Sequence, residues 1–333
     1  MNKNKVLCEC LKGLLAFEDR FEQVPDRRAR WLGERLAWHK VLPLAAAIQD
    51  PGKPKCRTLA DILNKANLHN MMREEHYFRQ VRSLFSALDQ WEVEYVPFKG
   101  PFWFVPLYEA YHWRHIGDID LLLPKSDIPK ATEMMVALGY RPHYLSGGLE
   151  QELVGGRGEL AFSPDPSRPN DVVVELHWDP MPSPRFMRRQ FLSYEDFTRR
   201  TICGQWRGLS YAMPSLEVQF LYLVLHATCQ HQFMRFVHVT TIVHYIQRRF
   251  HLNFEEVFEL AAERHASTPL FYGLSFANAF WALPKPLREL KARINVPLKS
   301  RLVTKLLSPR SIVQGTDKKG TIRRNLFRTA ISW

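Results

Sequence analysis

An α+β chain is predicted, with helical regions at both ends and a small mixed α/β unit between them. Three observations predict it. Apolar residues recur at helix spacing through the first 90 residues and again between about 215 and 283. Between those regions, β-forming runs bounded by turn residues stand at 93–98, 118–123 and 171–178. Finally, 333 residues with 46% apolar and 12% aromatic content are those of a globular protein with length for one large core or two ordinary ones.

Taken in order, Leu7, Leu11, Leu14 and Leu15 share one helix stripe, and Trp31, Leu32, Leu36, Val41 and Leu42 continue the helical pattern to residue 50. Pro51-Gly52-Lys53-Pro54 breaks it as a loop. A long helix is expected from Thr58 to about Gln90, with Phe78, Val81, Leu84, Phe85 and Leu88 on its apolar face. The first strand ends at Lys99-Gly100. Pro101 suits the first turn of a helix, which Pro106 keeps short. The second strand, 118–123, stops at Pro124. Ser126 or Asp127 can then cap a helix that ends at Gly139. Residues 140–170 read as loops and weak hairpin strands, with 159–162 the best strand among them. In the third strand, D-V-V-V-E-L-H-W, Val173, Glu175 and His177 share one face. Beyond Pro180 the pattern is helical, with Ser215 capping a helix to about His231 and further helices at 236–250, 254–265 and 270–283. The domain reading is 1–90 helical, 91–182 the α/β core, 183–285 helical, and 286–333 a basic segment.

The net charge of +12 is unevenly placed. Residues 286–333 hold twelve Lys or Arg against Glu289 and Asp317, which leaves the rest of the chain near neutral. That segment is read either as a nucleic-acid or anionic-surface contact or as a solvated tail. No apolar run is long enough for a membrane span, and the N-terminus lacks the pattern of a signal peptide, so a cytoplasmic protein is expected. The five cysteines are odd in number and scattered, which favours reduced thiols over disulfides or a zinc site.

The chemistry concentrates between residues 95 and 123. Strand alternation puts Asp118 and Asp120 on one side, where two carboxylates repel unless a cation lies between them. Hard divalent cations take such oxygens, Mg²⁺ together with substrate phosphates. Glu175 on the third strand can supply the third carboxylate, as a ligand or as the base for an attacking hydroxyl. Gly100 allows close backbone approach to phosphate, and Lys99 and Arg114 are the nearest cations for a triphosphate. Their alternatives are a lysine snorkelling at a strand end and an arginine paired to one of the acids.

These residues also resemble a known family. The run F-K-G…R-x-x-G-D-I-D-L-L-L, the later E-L-H-W, W-H-K-V-L-P-L at 38–44 and L-V-L-H-A-T-C-Q-H-Q-F-M-R-F at 223–236 are similar to motifs of the uncharacterised nucleotidyltransferases, relatives of polymerase-β-like enzymes. The resemblance covers about residues 30–285. It implies a small mixed nucleotidyltransferase-type sheet with helices on it, two Mg²⁺ (Mn²⁺ as a substitute) and an NTP co-substrate. It assigns catalysis and metal binding to Asp118, Asp120 and Glu175, and nucleotide binding to Lys99, Gly100, Arg114 and Gly117. Pro101 stands where the common signature has Ser or Gly, and Thr240-Thr241 where an Asp is common.

His177, His226, His231 and Arg235 are candidates for the substrate pocket. On an α-helix His231 and Arg235 share a face, and His226 lies about 140° from His231. The expected activity is transfer of an NMP from an NTP to a hydroxyl-type acceptor on a small molecule, protein or RNA, with release of pyrophosphate. The alternatives are a catalytically idle binding module of the same fold, or an RNA-binding or RNA-modifying protein that uses the basic segment.

Overall fold

The computed structural model describes residues 3–22, 24–144, 147–155, 158–181, 191–249, 251–298 and 301. Most of the basic segment therefore lies outside the described residues. In chain order the elements begin with four helices, α1 (Lys3–Ala16), α2 (Asp26–Trp38), α3 (Leu42–Ala47) and α4 (Arg57–Gln90). Then come β1 (Val96–Phe98), α5 (Gly100–Phe104), β2 (Ile119–Leu122), α6 (Ile128–Ala137), β3 (Arg141–Pro142), α7 (Leu149–Gly155), β4 (Glu159–Ser163) and β5 (Val174–His177). After α8 (Tyr194–Thr198), β6 (Thr201–Trp206) and β7 (Leu209–Pro214), the chain ends in α9 (Leu216–Leu225), α10 (Val237–Arg248), α11 (Phe254–Glu263), α12 (Ser267–Phe280) and α13 (Lys285–Arg293). The fold class is α+β.

Two compact units divide these elements. A helical unit takes Met1–Asn70, His112–His115 and the chain from Gln219 onward; a sheet unit takes Met71–Tyr111 and Ile116–Val218.

In the helical unit, α1 buries the predicted Leu7, Leu11, Leu14 and Leu15 stripe. Its end is fastened to α10, where His244 Nε2 lies 2.9 Å from the Leu14 carbonyl and the Gln247 amide donates to the Leu15 carbonyl at 3.0 Å. The turn after α1 holds a buried carboxylate, Asp19, with Lys55 Nζ at 2.6 Å and the amides of Phe21 and Asp50 at 3.0 and 2.7 Å. Burial opposes its charge, and these donors outweigh burial and hold its carboxyl below the usual range.

The sheet unit carries a five-stranded mixed sheet in the order β1-β2-β5-β4-β3. The β2–β5 pair is parallel; β1–β2, β5–β4 and β4–β3 are antiparallel. The strand expected over 171–178 is trimmed to β5 because a side chain stands in for a strand at its start. Gln80 on α4 accepts from the Val172 amide at 2.8 Å and donates to the Val172 carbonyl at 2.7 Å. The same amide nitrogen reaches the Tyr140 hydroxyl at 2.9 Å, so one buried glutamine joins helix, sheet and loop.

Two departures from the helical reading beyond Pro180 matter. Residues 201–214 form the antiparallel hairpin β6–β7, turning at Arg207 and Gly208 with φ of +48° and +84°. A Cβ on Gly204 would sit 2.3 Å from the Tyr211 ring, so the ring covers the glycine's strand position. Tyr211 also donates to the Phe102 carbonyl at 3.0 Å and joins a cluster with Phe85, Phe102 and Trp206. Second, the helix from Ser215 stops being α at Leu225 and continues as a π turn over His226–Gln230, closed by the His231 amide on the His226 carbonyl at 3.1 Å. α7 is a further short helix where loops were expected. No helix among the described residues is long and apolar enough to cross a membrane, and the five cysteines are free.

Candidate active site

β2 sets Asp120 beside two strands at once. It is paired in register with Phe98 on β1 and with Glu175 on β5, and Glu175 is paired in turn with Ala161 on β4. A parallel partner in direct register brings the Asp120 and Glu175 side chains onto the same face, as alternation requires. His177 lies two residues on along β5, opposite Glu159 of β4 and on that same face.

Asp120 is buried, at 4% exposure, and its Oδ1 takes two cationic partners: Lys99 Nζ at 2.7 Å and His177 Nε2 at 3.0 Å. His177 Nε2 lies 3.6 Å from Glu175 Oε2, and Nδ1 lies 3.6 Å from Glu159 Oε2. Burial alone would raise the Asp120 pKa; the ammonium and the imidazole outweigh it and hold the carboxyl below its ordinary value. Burial likewise works against a charged His177, but its hydrogen bond to Asp120 and the nearby Glu175 carboxylate raise it to about 9, which favours an imidazolium at neutral pH when no metal is bound.

Asp118 immediately precedes β2 and is solvent-exposed, and its carbonyl accepts from the Tyr77 hydroxyl at 3.0 Å. The Asp120 charge pushes its carboxyl up to about 6, helped by desolvation from the atoms packed on its protein-facing side and by Glu175, against the opposing effect of Lys99. The pair is therefore asymmetric. Asp120 is locked and ionised by its partners, while Asp118 is open to solvent and held nearer to protonation.

Lys99 closes β1 with φ +59° and ψ −147°, and Gly100 follows at φ +52°. Such backbone costs a lysine about 1–3 kcal/mol and persists only where surroundings enforce it. Here it ends the strand, starts α5 and aims Nζ at Asp120 across the Phe98 ring, 4.7 Å from its centroid. Gly100 is required by that φ, and a Cβ there would meet the Tyr77 hydroxyl at 3.1 Å. Gly117 has open space around it.

Asp120, Glu175 and His177 each present a ligand atom within 4.8 Å of the others, the one such group among the described residues. This Asp/Glu/His group could hold a metal ion once His177 gives up its proton, because two carboxylate oxygens and a neutral imidazole nitrogen are a donor set for a divalent cation. His177, expected in the substrate pocket, is thus among the potential ligands. Asp118 stands beside that trio at the solvent edge.

Not all the expected residues gather in the sheet unit. Arg114, His226, His231 and Arg235 belong to the helical unit, where Arg114 Nη1 donates to Thr241 Oγ1 at 2.7 Å. The π turn overturns the 140° separation between His226 and His231. Closing a turn over five residues brings the second ring back over the first, with the two Nε2 atoms 3.2 Å apart. Arg235 donates to the Trp38 carbonyl. Sequence reasoning missed Tyr77 and Glu159. Tyr77 carries no motif signal, sitting one residue before the stripe assigned to the α4 face. Glu159 could have been found by pairing 159–162 against 174–177, had their antiparallel register been known.

A family model described as an uncharacterised nucleotidyltransferase matches residues 25–282, and the chain belongs to that family. No curated protein and no solved structure matches it.

Proposed function

Starting from that family membership, we propose that the protein transfers a nucleoside monophosphate from an NTP to a hydroxyl-type acceptor and releases pyrophosphate. The observation that carries the reading is the pairing of Asp120 with Glu175 in register on parallel strands, with Lys99 Nζ 2.7 Å from Asp120. In the reaction the acceptor oxygen bonds to the α-phosphorus, the bond from that phosphorus to the pyrophosphate oxygen breaks, and the hydroxyl proton passes to Glu175. Asp118, Asp120 and Glu175, with His177 able to add a nitrogen ligand only after losing its proton, would hold two Mg²⁺ or Mn²⁺ ions, which supply charge neutralisation at the phosphates and acidify the hydroxyl.

The chain's own residues supply the rest. Lys99, at 18% side-chain exposure, offers a strained and pre-aimed ammonium to phosphate oxygens. Gly100, Gly117 and Arg114 complete the nucleotide residues of this reading, while His226, His231 and Arg235 are its acceptor-pocket candidates. Asp118, exposed and raised to about 6, is ionised at neutral pH and able to take a ligand from solvent. The acceptor is a small molecule, a protein or an RNA, and the enzyme works in the cytoplasm.

The test is isothermal titration of each NTP with and without Mg²⁺ on the wild type and on Asp118→Ala/Asp120→Ala, alongside release of labelled pyrophosphate. Binding that ignores both Mg²⁺ and the two acids would sink the mechanism. One observation favours a second reading, an idle nucleotide-binding module. Asp120 is already neutralised by Lys99 and His177, and Pro101 follows Gly100 where a phosphate-binding hydroxyl is common. Tight NTP binding with no pyrophosphate released, for any acceptor supplied, would select it.

A further inference from the structure

Two of the sequence stretches that resemble the family, 38–44 and 223–236, lie in the helical unit and meet there. The Arg235 guanidinium donates to the Trp38 carbonyl, the Phe236 amide to His39 Nδ1 at 3.2 Å, and the Val237 amide to the His39 carbonyl at 3.2 Å. These bonds seat residues 38–39 against the N-terminal end of α10. The next residue, Lys40, is held at φ +58°, left-handed backbone that a lysine adopts only under constraint.

Histidines gather at the same place. The π turn brings His231 against His226, with ring centroids 4.4 Å apart, and His238 of α10 stacks on His231 at 4.6 Å and 17°. Arg114 reaches the same helix, bonding Thr241, which is three residues beyond His238 and so on its face. The Asn70 side-chain amide donates to the carbonyls of His112 and Arg114 at 2.5 Å each, which fixes the backbone from which Arg114 projects. Lys40, Arg114, His231, Arg235 and His238 are all half-buried. The His238 pKa is driven well below its ordinary value, by burial first and then by His231, Lys40, Arg114 and Arg235, each a cation or a group that becomes one. The histidines are not among the described groups whose ligand atoms lie close enough together for a metal.

We propose that Lys40, Arg114, His231, Arg235 and His238 form an anion site that takes the phosphate group of a ligand. A cluster with two guanidiniums and an ammonium suits a doubly charged, multi-oxygen group better than a single carboxylate, and the guanidinium planes match phosphate geometry. The two imidazoles add N–H donors that become cationic when a dianion arrives. This site lies wholly in the helical unit; it deepens the proposed function, which already gives Arg114, His231 and Arg235 to the nucleotide or acceptor, but phosphate binding here needs neither Asp118 nor Asp120. Its ligand can be the phosphate of an acceptor or that of a nucleotide.

The experiment follows histidine ring resonances by NMR in the full chain while inorganic phosphate, glycerol phosphate or an NTP is added at constant ionic strength. It uses the wild type and Asp118→Ala/Asp120→Ala. The expected result is saturable movement of the His231 and His238 signals in both proteins, together with upward shifts of their pKa values. Glycerol phosphate tighter than NTP assigns the group to an acceptor; the reverse order assigns it to the nucleotide. His231→Gln with His238→Gln is expected to weaken phosphate binding by about tenfold or more. Lys40→Gln, which removes a half-buried ammonium from the turn between α2 and α3, should weaken it by about as much and guards against loss of folding in the histidine variant. The proposal is overturned if chloride reproduces the movement, if neither ring responds to any of the three, or if binding is unchanged in a folded Lys40→Gln protein.

Discussion

The two units gather charge in opposite ways. In the sheet unit a buried acid meets its counter-ions directly, with Asp120 between Lys99 and His177, and the imidazole gains a proton from the arrangement. In the helical unit Lys40, Arg114 and Arg235 lie around a histidine that they help to keep neutral. Each place has a lysine in left-handed backbone, Lys99 at φ +59° and Lys40 at φ +58°. The contrast teaches that a histidine's charge reports the sign of its surroundings. His177 is held toward the charged form because acids face it, and His238 toward the neutral form by desolvation first and then by the cations around it.

The largest effect expected from breaking this contrast is at Asp120. Asp120→Ala should lower pyrophosphate release by about a thousandfold or more, since the site loses its central carboxylate. It should also cost about 3–5 kcal/mol of stability, read from the denaturant midpoint, because Lys99 and His177 keep buried charge with no acid between them. Asp118→Asn, at the solvent edge, should lose activity with little change in that midpoint. Equal destabilisation by both substitutions would erase the asymmetry between the two acids.

Next in size is Lys99→Met, expected to slow pyrophosphate release by about a hundredfold if its ammonium meets developing phosphate charge. A rate within about threefold of wild type would assign Lys99 to Asp120 alone.

The third prediction uses pH. His177 has a folded pKa raised to about 9, above its ordinary 6.5. Its contribution is therefore fully present below about 6.5 and is lost as pH rises through about 9, by up to about 3 kcal/mol in chelator-treated protein. His177→Gln should flatten stability across that window, and an unchanged slope would remove the imidazolium from the account.

The smallest effect has the opposite sign. His238 has its folded pKa lowered, so stability falls as pH drops through the unfolded value near 6.5, where only the unfolded chain takes the proton. Between about pH 7 and 5.5 this amounts to about 1 kcal/mol, seen as the difference between wild type and His238→Gln in melting curves. A His238→Gln curve parallel to wild type in acid would mean that the ring does not feel the cations around it.

Much of the sheet unit was legible because its signals are local. Period-two alternation in D-I-D and V-E-L-H set which side chains share a face, and turn residues marked the strand ends within two or three positions. What pairs with what was not local. The registers Asp120 with Glu175 and Glu159 with His177 depend on contacts across more than a dozen residues, so Glu159 gave no signal of its own. The hairpin at 201–214 was hidden because Arg207-Gly208 is a weaker turn signal than Asn-Gly, and Gly204 breaks the strand pattern that Tyr211 restores only in three dimensions. Gln80 lies on a helix, and its role as a substitute strand depends on Val172, far along the chain. In the helical unit the helices themselves were legible from spacing. The π turn was not, since a sequence read with a fixed period of 3.6 has no place for a turn of different length.

That turn behaves like one surplus residue absorbed without breaking the helix. Deleting Thr228 would hand the residue back, return the segment to an ordinary helical frame and swing everything beyond it by about 100° relative to everything before. His231 would leave His226, and the stack with His238 would come apart, although every histidine in the protein would still be present. Among natural variants of this chain, a single-codon gain or loss in this helix is thus a change of wiring, and the number of residues between His226 and His231 is as informative as their identity.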